Sequence, residues 1–253
     1  MLIKLESDLH IDKDFNQGYK PNLSNVDVYC IAGDLGQWKV CVPFINNLIK
    51  EYPNVHIVHV CGNHEYYDTY IEKPEKIFSE LSLVNDKYHY LQNSSVVING
   101  LRFIGSTLWT SLNNKNPLDV NDALNAMNDY RLIRFKNGVL KFLPQNSIRL
   151  HEIAKEYIFK TLEESEEDTV VITHHKPFST NNNYLSSAFE VELRGDLIES
   201  RKPPIMWFSG HDHKHHDMVF KCNDKDIRFI SNPLGYPHEK NTSGYKENLK
   251  IEI

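Results

Sequence analysis

The chain has 253 residues, 40% hydrophobic and 25% charged, which suits one sizeable globular domain and argues against global disorder. Its 28 Lys+Arg against 34 Asp+Glu give a formal net charge of −6, which weighs against a dedicated nucleic-acid binder. No apolar run approaches a membrane span, and acidic residues follow the first strand-like run at once, so neither an anchor nor a signal segment is expected.

In chain order, Leu2–Leu5, Val26–Ile31 and Val55–Val60 are short β-branched runs of strand length. Between the second and third, Val40, Phe44, Ile45, Leu48 and Ile49 recur with the helical period. Further strand-like runs follow at Val96–Ile98 and Arg102–Ile104. A longer helical pattern runs from Ile148 through Leu150, Ile153, Ala154, Tyr157 and Ile158 to Leu162, after Pro144. Val170–Thr173, Ile205–Phe208, Met218–Lys221, Arg228–Ile230 and Leu249–Ile253 complete the strands. The first half reads as parallel crossover units, and the second, with its short turns, as more antiparallel. Residues 106–144 and 176–203 have weak periodicity and read as long insertions covering a site. The asparagine patches Asn113-Asn114-Lys115-Asn116 and Asn181-Asn182-Asn183 read as polar loops. No linker divides residues 1–253, so one domain is expected. Cys30, Cys41, Cys61 and Cys222 lack metal-binding spacing and read as buried reduced thiols, consistent with a cytoplasmic protein.

The chemistry gathers where the runs end. The first is followed by Ser7-Asp8-Leu9-His10, the second by Gly33-Asp34 and the third by Gly62-Asn63-His64-Glu65. Val170–Thr173 leads into His174-His175, and Ile205–Phe208 into Gly210-His211-Asp212-His213. Ligands of open α/β sheets bind beyond the carboxyl ends of strands, so five such ends can meet in one small volume. Carboxylate and amide oxygens with imidazole nitrogens suit manganese, iron or zinc. In extended backbone, residues two apart project from one face, so Asp8 with His10 and His211 with His213 would both reach inward, while Leu9 and Asp212 point away. Glycine before Asp34, Asn63 and His211 allows a sharp turn and close backbone approach. Of the remaining histidines, His56 and His59 read as core or edge groups, His215 and His216 as solvent-facing. His174 is the expected inward member of its pair, ahead of His175.

This ordered set resembles the calcineurin-like metallophosphoesterase superfamily, on its phosphodiesterase and small-molecule phosphohydrolase side, over residues 8 to 213. The resemblance implies an α/β fold, a four-layer α/β/β/α sandwich of two mixed sheets flanked by helices. It also implies a site for two divalent ions, with manganese first and iron or zinc as alternatives. Asp8, His10 and His213 would hold one ion and Asn63, His174 and His211 the other, with Asp34 bridging them. His64 would be the unligated catalytic histidine beside the substrate phosphate. Two such ions, less Asp8, Asp34 and a bridging hydroxide, leave the pocket at about +1 despite the acidic chain, which attracts a phosphate.

The implied activity is hydrolysis of a small phosphodiester or phosphomonoester, such as a nucleotide, by water that the two metals activate. Gly33-Asp34 runs on as Leu35-Gly36-Gln37-Trp38, without the phosphate-gripping arginine of the protein phosphatase branch. A protein phosphatase, a nuclease and a catalytically silent scaffold are the alternatives. Ser106-Thr107-Leu108-Trp109-Thr110, Asp129-Tyr130-Arg131 and Asn232-Pro233-Leu234-Gly235-Tyr236 look similar to stretches of bacterial and phage phosphohydrolases. From these, Trp109, Tyr130, Arg131 and Tyr236 are expected to line the substrate pocket.

Overall fold

Alternation of β-branched strands with amphipathic helices dictates a layered architecture. The computed structural model describes residues 1–14, 16–179, 185–239 and 242–253. The asparagine run 181–183, and with it part of the expected insertion 176–203, lies outside the described residues.

Strands β1 (Leu2–Glu6) and β2 (Val28–Ala32), helix α1 (Trp38–Glu51), β3 (His56–Val60), α2 (Glu72–Leu83) and β4 (Tyr88–Tyr90) come first. Next are β5 (Ser94–Ile98) and β6 (Leu101–Ser106), then three short helical pieces, α3 (Leu112–Lys115), α4 (Pro117–Ala126) and α5 (Asp129–Leu132). A small ribbon, β7 (Arg134–Phe135) and β8 (Leu140–Lys141), precedes the long α6 (Pro144–Glu164) and β9 (Asp168–Thr173). The order closes with α7 (Ser186–Phe189), α8 (Arg194–Glu199), β10 (Met206–Ser209), β11 (His216–Cys222), β12 (Lys225–Ser231) and β13 (Ile251–Glu252).

One sheet has the order β13-β1-β2-β3-β4 and the other β11-β12-β10-β9-β6-β5. Within the first, β1 to β4 are parallel and β13 runs antiparallel at one edge. The second half is less antiparallel than its short turns imply. Strands β6, β9, β10 and β12 are mutually parallel, and only the edge strands β5 and β11 reverse. The reason is connection length. Asn99-Gly100, both at positive φ, closes the tight β5–β6 hairpin, whereas β6 reaches β9 through α6.

Strand parity divides the core. Ile3, Leu5, Val28, Cys30, Ala32, Val58 and Val60 meet Phe103, Val170, Ile172, Phe208 and Ile230 between the sheets. Their alternates Tyr29, Ile31 and Ile57 pack on Cys41, Ile45 and Leu48 of α1 and Phe78 of α2. On the far side, Ile104, Val171, Trp207 and Phe229 pack on Ala154, Ile158 and Leu162 of α6. The result is an α/β/β/α sandwich in which each fully buried aliphatic side chain contributes roughly 1.5–3 kcal/mol. All four cysteines are free and buried. No helix among the described residues is long and apolar enough to cross a membrane.

Residues 106–144 hold more structure than their weak periodicity predicts. Asn116 Oδ1 accepts from Leu118 N (2.9 Å) and Asp119 N (3.4 Å), and Pro117 opens the helix, so α4 begins on a strong cap. The preceding asparagine patch winds left-handed, with positive φ at Leu112, Asn113, Asn114 and Lys115.

Candidate metal centre

The carboxyl ends of the inner strands of both sheets share one rim, and backbone bonds lace their loops together. Asp8 N donates to Gly33 O (3.0 Å), His10 N to Asp34 O (3.0 Å), Gly210 N to His174 O (2.9 Å) and Gly235 N to Asp8 O (3.0 Å). The side chains turn inward for a reason the period-two argument misses. Asp8 (φ +52°), His10 (+44°), Asp34 (+52°), His211 (+75°) and His213 (+51°) all lie in the left-handed region, not in extended backbone. Each such residue costs of order 1–3 kcal/mol, and such strain concentrates at functional sites. Leu9 and Asp212 do point elsewhere, Leu9 into the core and Asp212 to Lys176 Nζ at 2.7 Å. Close approach explains two glycines. A Cβ on Gly62 would overlap the Asp34 carboxylate, and one on Gly210 would come within 2.6 Å of Asp8 Oδ2.

Three overlapping groups result: Asp8, His10 and His213; His10, Asp34 and His64; Asp34, His174 and His211, with the donor atoms of each within 4.8 Å of one another. Their hydrogen-bond polarity fits a cation. His174 Nδ1 donates to Ala32 O (3.0 Å), so Nε2 presents a lone pair. That lone pair faces Asn63 Oδ1 (3.1 Å), His211 Nδ1 (3.0 Å) and Asp34 Oδ1 (3.5 Å). Similarly, His213 Nδ1 donates to Glu239 Oε2 (2.6 Å), which turns Nε2 toward His10 Nε2 (3.1 Å) and Asp8 Oδ1 (3.3 Å). Acceptors this close repel one another unless a proton or a cation lies between them. His10 Nδ1 and His211 Nε2, both buried, have no hydrogen-bond partner among the described residues.

The electrostatics carry the same mark. Burial, with Glu65 and Asp8 nearby, pushes the Asp34 carboxyl well above the usual carboxylate range. Burial also works against charge on Asp8, but its hydrogen bond and attraction to His213 hold it well below that range. His213 answers in kind: burial opposes its charge, yet Asp8 and Glu239 raise it to about 9. Burial lowers His10 to about 3, and lowers His64 and His211 far below the imidazole range, with neighbouring histidines adding to the effect. Crowded carboxylates beside His10, His64 and His211, in which burial disfavours the charged form, are what a cation site looks like to a proton.

Above the donors lies a cleft of about 490 Å³, walled by Ala126, Met127 and Asn128 from one expected insertion and Ser186, Phe189 and Glu190 from the other. Tyr236 lines it, stacked on His10 (4.6 Å, 19°) with its hydroxyl 3.3 Å from His64 Nε2. Trp109, Tyr130 and Arg131 do not reach it. Trp109 is 2% exposed and packs on Phe142, which also stacks with Tyr130 at 5.8 Å. Arg131 donates to Asn125 O and lines a separate surface hollow with Asp68, Thr69, Tyr70 and Arg134. The cause is the single turn of α5, which sends successive side chains about 100° apart. Asp129 goes to the site, Tyr130 into the core and Arg131 outward. His175 packs its ring against His211 (4.3 Å) but bonds Thr107 O through Nδ1 (3.1 Å) and stays outside the three donor groups. His59 is buried against Tyr88 OH (2.9 Å), and His56 pairs with His89. His215 and His216 are half-buried, not solvent-facing, because Asp212 Oδ2 holds His216 Nε2 at 2.9 Å and Ser243 O ties down His215 N.

Sequence reasoning missed the braces. Glu65, fully buried, accepts from Leu35 N (2.8 Å), Gly62 N (2.8 Å) and Asp34 N (3.2 Å), tying two of the turns together. Asp129 and Tyr67 hold the Asn63 amide, and Glu239 holds His213. Glu65 stands inside a motif block and Asp129 heads the Asp129-Tyr130-Arg131 stretch, but Tyr67 and Glu239 carry no local signal.

The chain is 27% identical over 241 residues to an uncharacterised protein of Acanthamoeba polyphaga mimivirus, covering 85% of this chain and 81% of the relative. Among solved structures it resembles the phosphopantetheinyl hydrolase of Mycobacterium tuberculosis, with TM-score 0.73 and 14% identity, covering 98% of this chain and 95% of that one. A dimetal phosphatase from Danio rerio superposes with TM-score 0.51 and 13% identity, over 91% of this chain and 86% of the other. Both likenesses establish the fold. The sequence profile of the calcineurin-like phosphoesterases matches residues 1–215, the stretch that carries every candidate donor, and the chain belongs to that family.

Proposed function

We propose that the protein is a metal-dependent hydrolase of small phosphoesters that holds two divalent cations, manganese first. Asp8, His10 and His213 would hold one, Asn63, His174 and His211 the other, and Asp34 would lie between them. The observation that carries this reading is the convergence of acceptor atoms around Asp34, with ring nitrogens facing one another at 3.0 and 3.1 Å. Bound there, such cations would polarise phosphoryl oxygens and acidify water.

The chain's own groups do the rest. His64 would donate from Nε2 to a phosphoryl or leaving-group oxygen, and the Tyr236 hydroxyl 3.3 Å away orients its ring. His64 N donates to Asp34 Oδ1 (2.9 Å), so the carboxylate and the histidine keep one register. Ala126, Met127 and Phe189 offer apolar surface to the leaving group, and Lys214 adds positive charge at the same cleft. A cleft of this size desolvates a compact ester better than a folded protein surface. The buried free cysteines suit a reducing, cytoplasmic setting.

The test is a Mn²⁺-loaded assay against phosphomonoesters, cyclic nucleotides, dinucleotides, a phosphopantetheinyl diester and a phosphoprotein. The phosphopantetheinyl diester belongs there because a structurally similar protein carries that activity in its name. Small esters should exceed the phosphoprotein in kcat/KM by tenfold or more. The reverse order would return a protein phosphatase to first place, and bound metal with no turnover on any ester would favour a silent scaffold.

A further inference from the structure

Behind Asn63 lies a closed triangle of hydrogen bonds. Asn63 Nδ2 donates to Asp129 Oδ1 (2.9 Å) and to Tyr67 OH (2.8 Å), and Tyr67 OH donates to the same Asp129 Oδ1 (2.8 Å). Asp129 is 3% exposed and Tyr67 8%. Among the described residues, no lysine or arginine forms an ion pair with Asp129. A buried carboxylate without a cationic partner is a costly way to hold an amide, and a neutral side chain of the same shape would cost less. Its advantage is polarity.

The two ends of an asparagine amide have nearly the same shape and opposite hydrogen-bonding character. Turned one way, Asn63 offers Oδ1 to the cluster of His174 and His211; turned the other, it would aim two N–H groups at a cation. Asp129 Oδ1 already receives the Tyr67 hydroxyl proton, and it can be matched on its other side only by a donor. Asparagine at 129 could present its own amide N–H groups and accept either orientation of Asn63.

We infer that Asp129, with Tyr67, is a positioning residue that locks the Asn63 amide with its oxygen toward the cation position shared with His174 and His211. The inference rests on the metal reading above. It also assigns a role to the Asp129-Tyr130-Arg131 stretch, whose other two members do not reach the cleft. Asp129 directly follows Ala126, Met127 and Asn128, so the segment that walls the cleft also braces a cation donor.

The experiment compares wild type, Asp129→Asn and Tyr67→Phe by Mn²⁺ titration calorimetry, by bound-metal stoichiometry and by thermal unfolding of the metal-free protein. Asp129→Asn should weaken one of two Mn²⁺ sites by tenfold to a hundredfold, the range for a partner that orients a ligand. Its metal-free unfolding temperature should be unchanged or higher, since a buried charge has gone. Tyr67→Phe keeps the direct Asn63–Asp129 bond and should weaken the same site by less. Unchanged Mn²⁺ affinity in Asp129→Asn would overturn the inference while leaving the metal reading standing. A lowered metal-free unfolding temperature that accounts for the affinity loss would also overturn it, by making Asp129 merely structural. Wild-type protein that takes up no Mn²⁺ would instead overturn the metal reading and carry this inference with it.

Discussion

The two donor groups that meet at Asp34 use the same kinds of side chain in different surroundings. Around Asn63, His174 and His211 the walls are closed: the residues are 3%, 0% and 6% exposed, and their braces are the Ala32 carbonyl and Asp129. Around Asp8, His10 and His213 the base is equally buried, but the His213 side chain is 12% exposed and its brace, Glu239, 27%. Glu239 stands on a single short turn, Pro237–Glu239, at the mouth of the cleft. A deep group oriented by backbone and a buried carboxylate should exchange its cation slowly. A mouth group oriented by a partly solvated carboxylate should exchange first, because water competes for each of its hydrogen bonds.

The largest effect should come from the residue both groups share. Asp34→Asn removes the common carboxylate, so bound metal should fall at both positions and kcat/KM by roughly four orders of magnitude or more. Elemental analysis showing two metals retained would contradict the sharing. His64→Ala should separate chemistry from binding, losing about 10²–10⁴-fold in kcat while metal content stays at the wild-type level. A parallel collapse of metal content would make His64 a ligand.

Glu239→Gln sharpens the contrast between the groups directly. It should weaken Mn²⁺ at the mouth position by about 10–100-fold and leave the deep one intact. Stepwise titration calorimetry that showed both sites weakened equally would erase the distinction. The smallest effect serves as a control away from both. Burial, together with Glu72, raises Glu75 from 4.5 to about 7, against a weak bond from Tyr66 OH. A folded-state pKa above the unfolded value contributes stability that is full below about pH 4.5 and is lost as pH rises through about 7. Glu75→Gln should therefore stabilise the protein by on the order of 1 kcal/mol at pH 8 and have little effect at pH 4. Chemical denaturation at the two pH values reads this out, with metal stoichiometry unchanged.

Much of the frame is legible in the chain. The ten apolar runs from Leu2 to Ile253 each fall on a strand, within three residues at either end, and the periods at Val40–Ile49 and Ile148–Leu162 fall inside α1 and α6. What escapes is α2, twelve residues long but burying only Pro74 and Phe78, together with β4 with its three residues and α4, whose Asn116-Pro117 start was readable but lies in an asparagine-rich patch. Trp109 and Tyr130 mislead because an aromatic residue looks the same in sequence whether it faces a cleft or a core.

By itself the sequence determined which residue types stand at the strand ends, since apolar runs set the strands and Asp, Asn and His follow them at once. Only the tertiary structure decided how those ends meet. Two sheets had to pack face to face, and five donor residues had to take left-handed backbone, before their atoms could face one another within 4.8 Å. The braces belong wholly to that second level. Asn63 and Asp129 are 66 positions apart and His213 and Glu239 are 26 apart, so the bonds that aim the donors leave no periodic trace in the chain. Periodicity records which face of an element is apolar, whereas a single buried hydrogen bond between distant loops records only the three-dimensional fold.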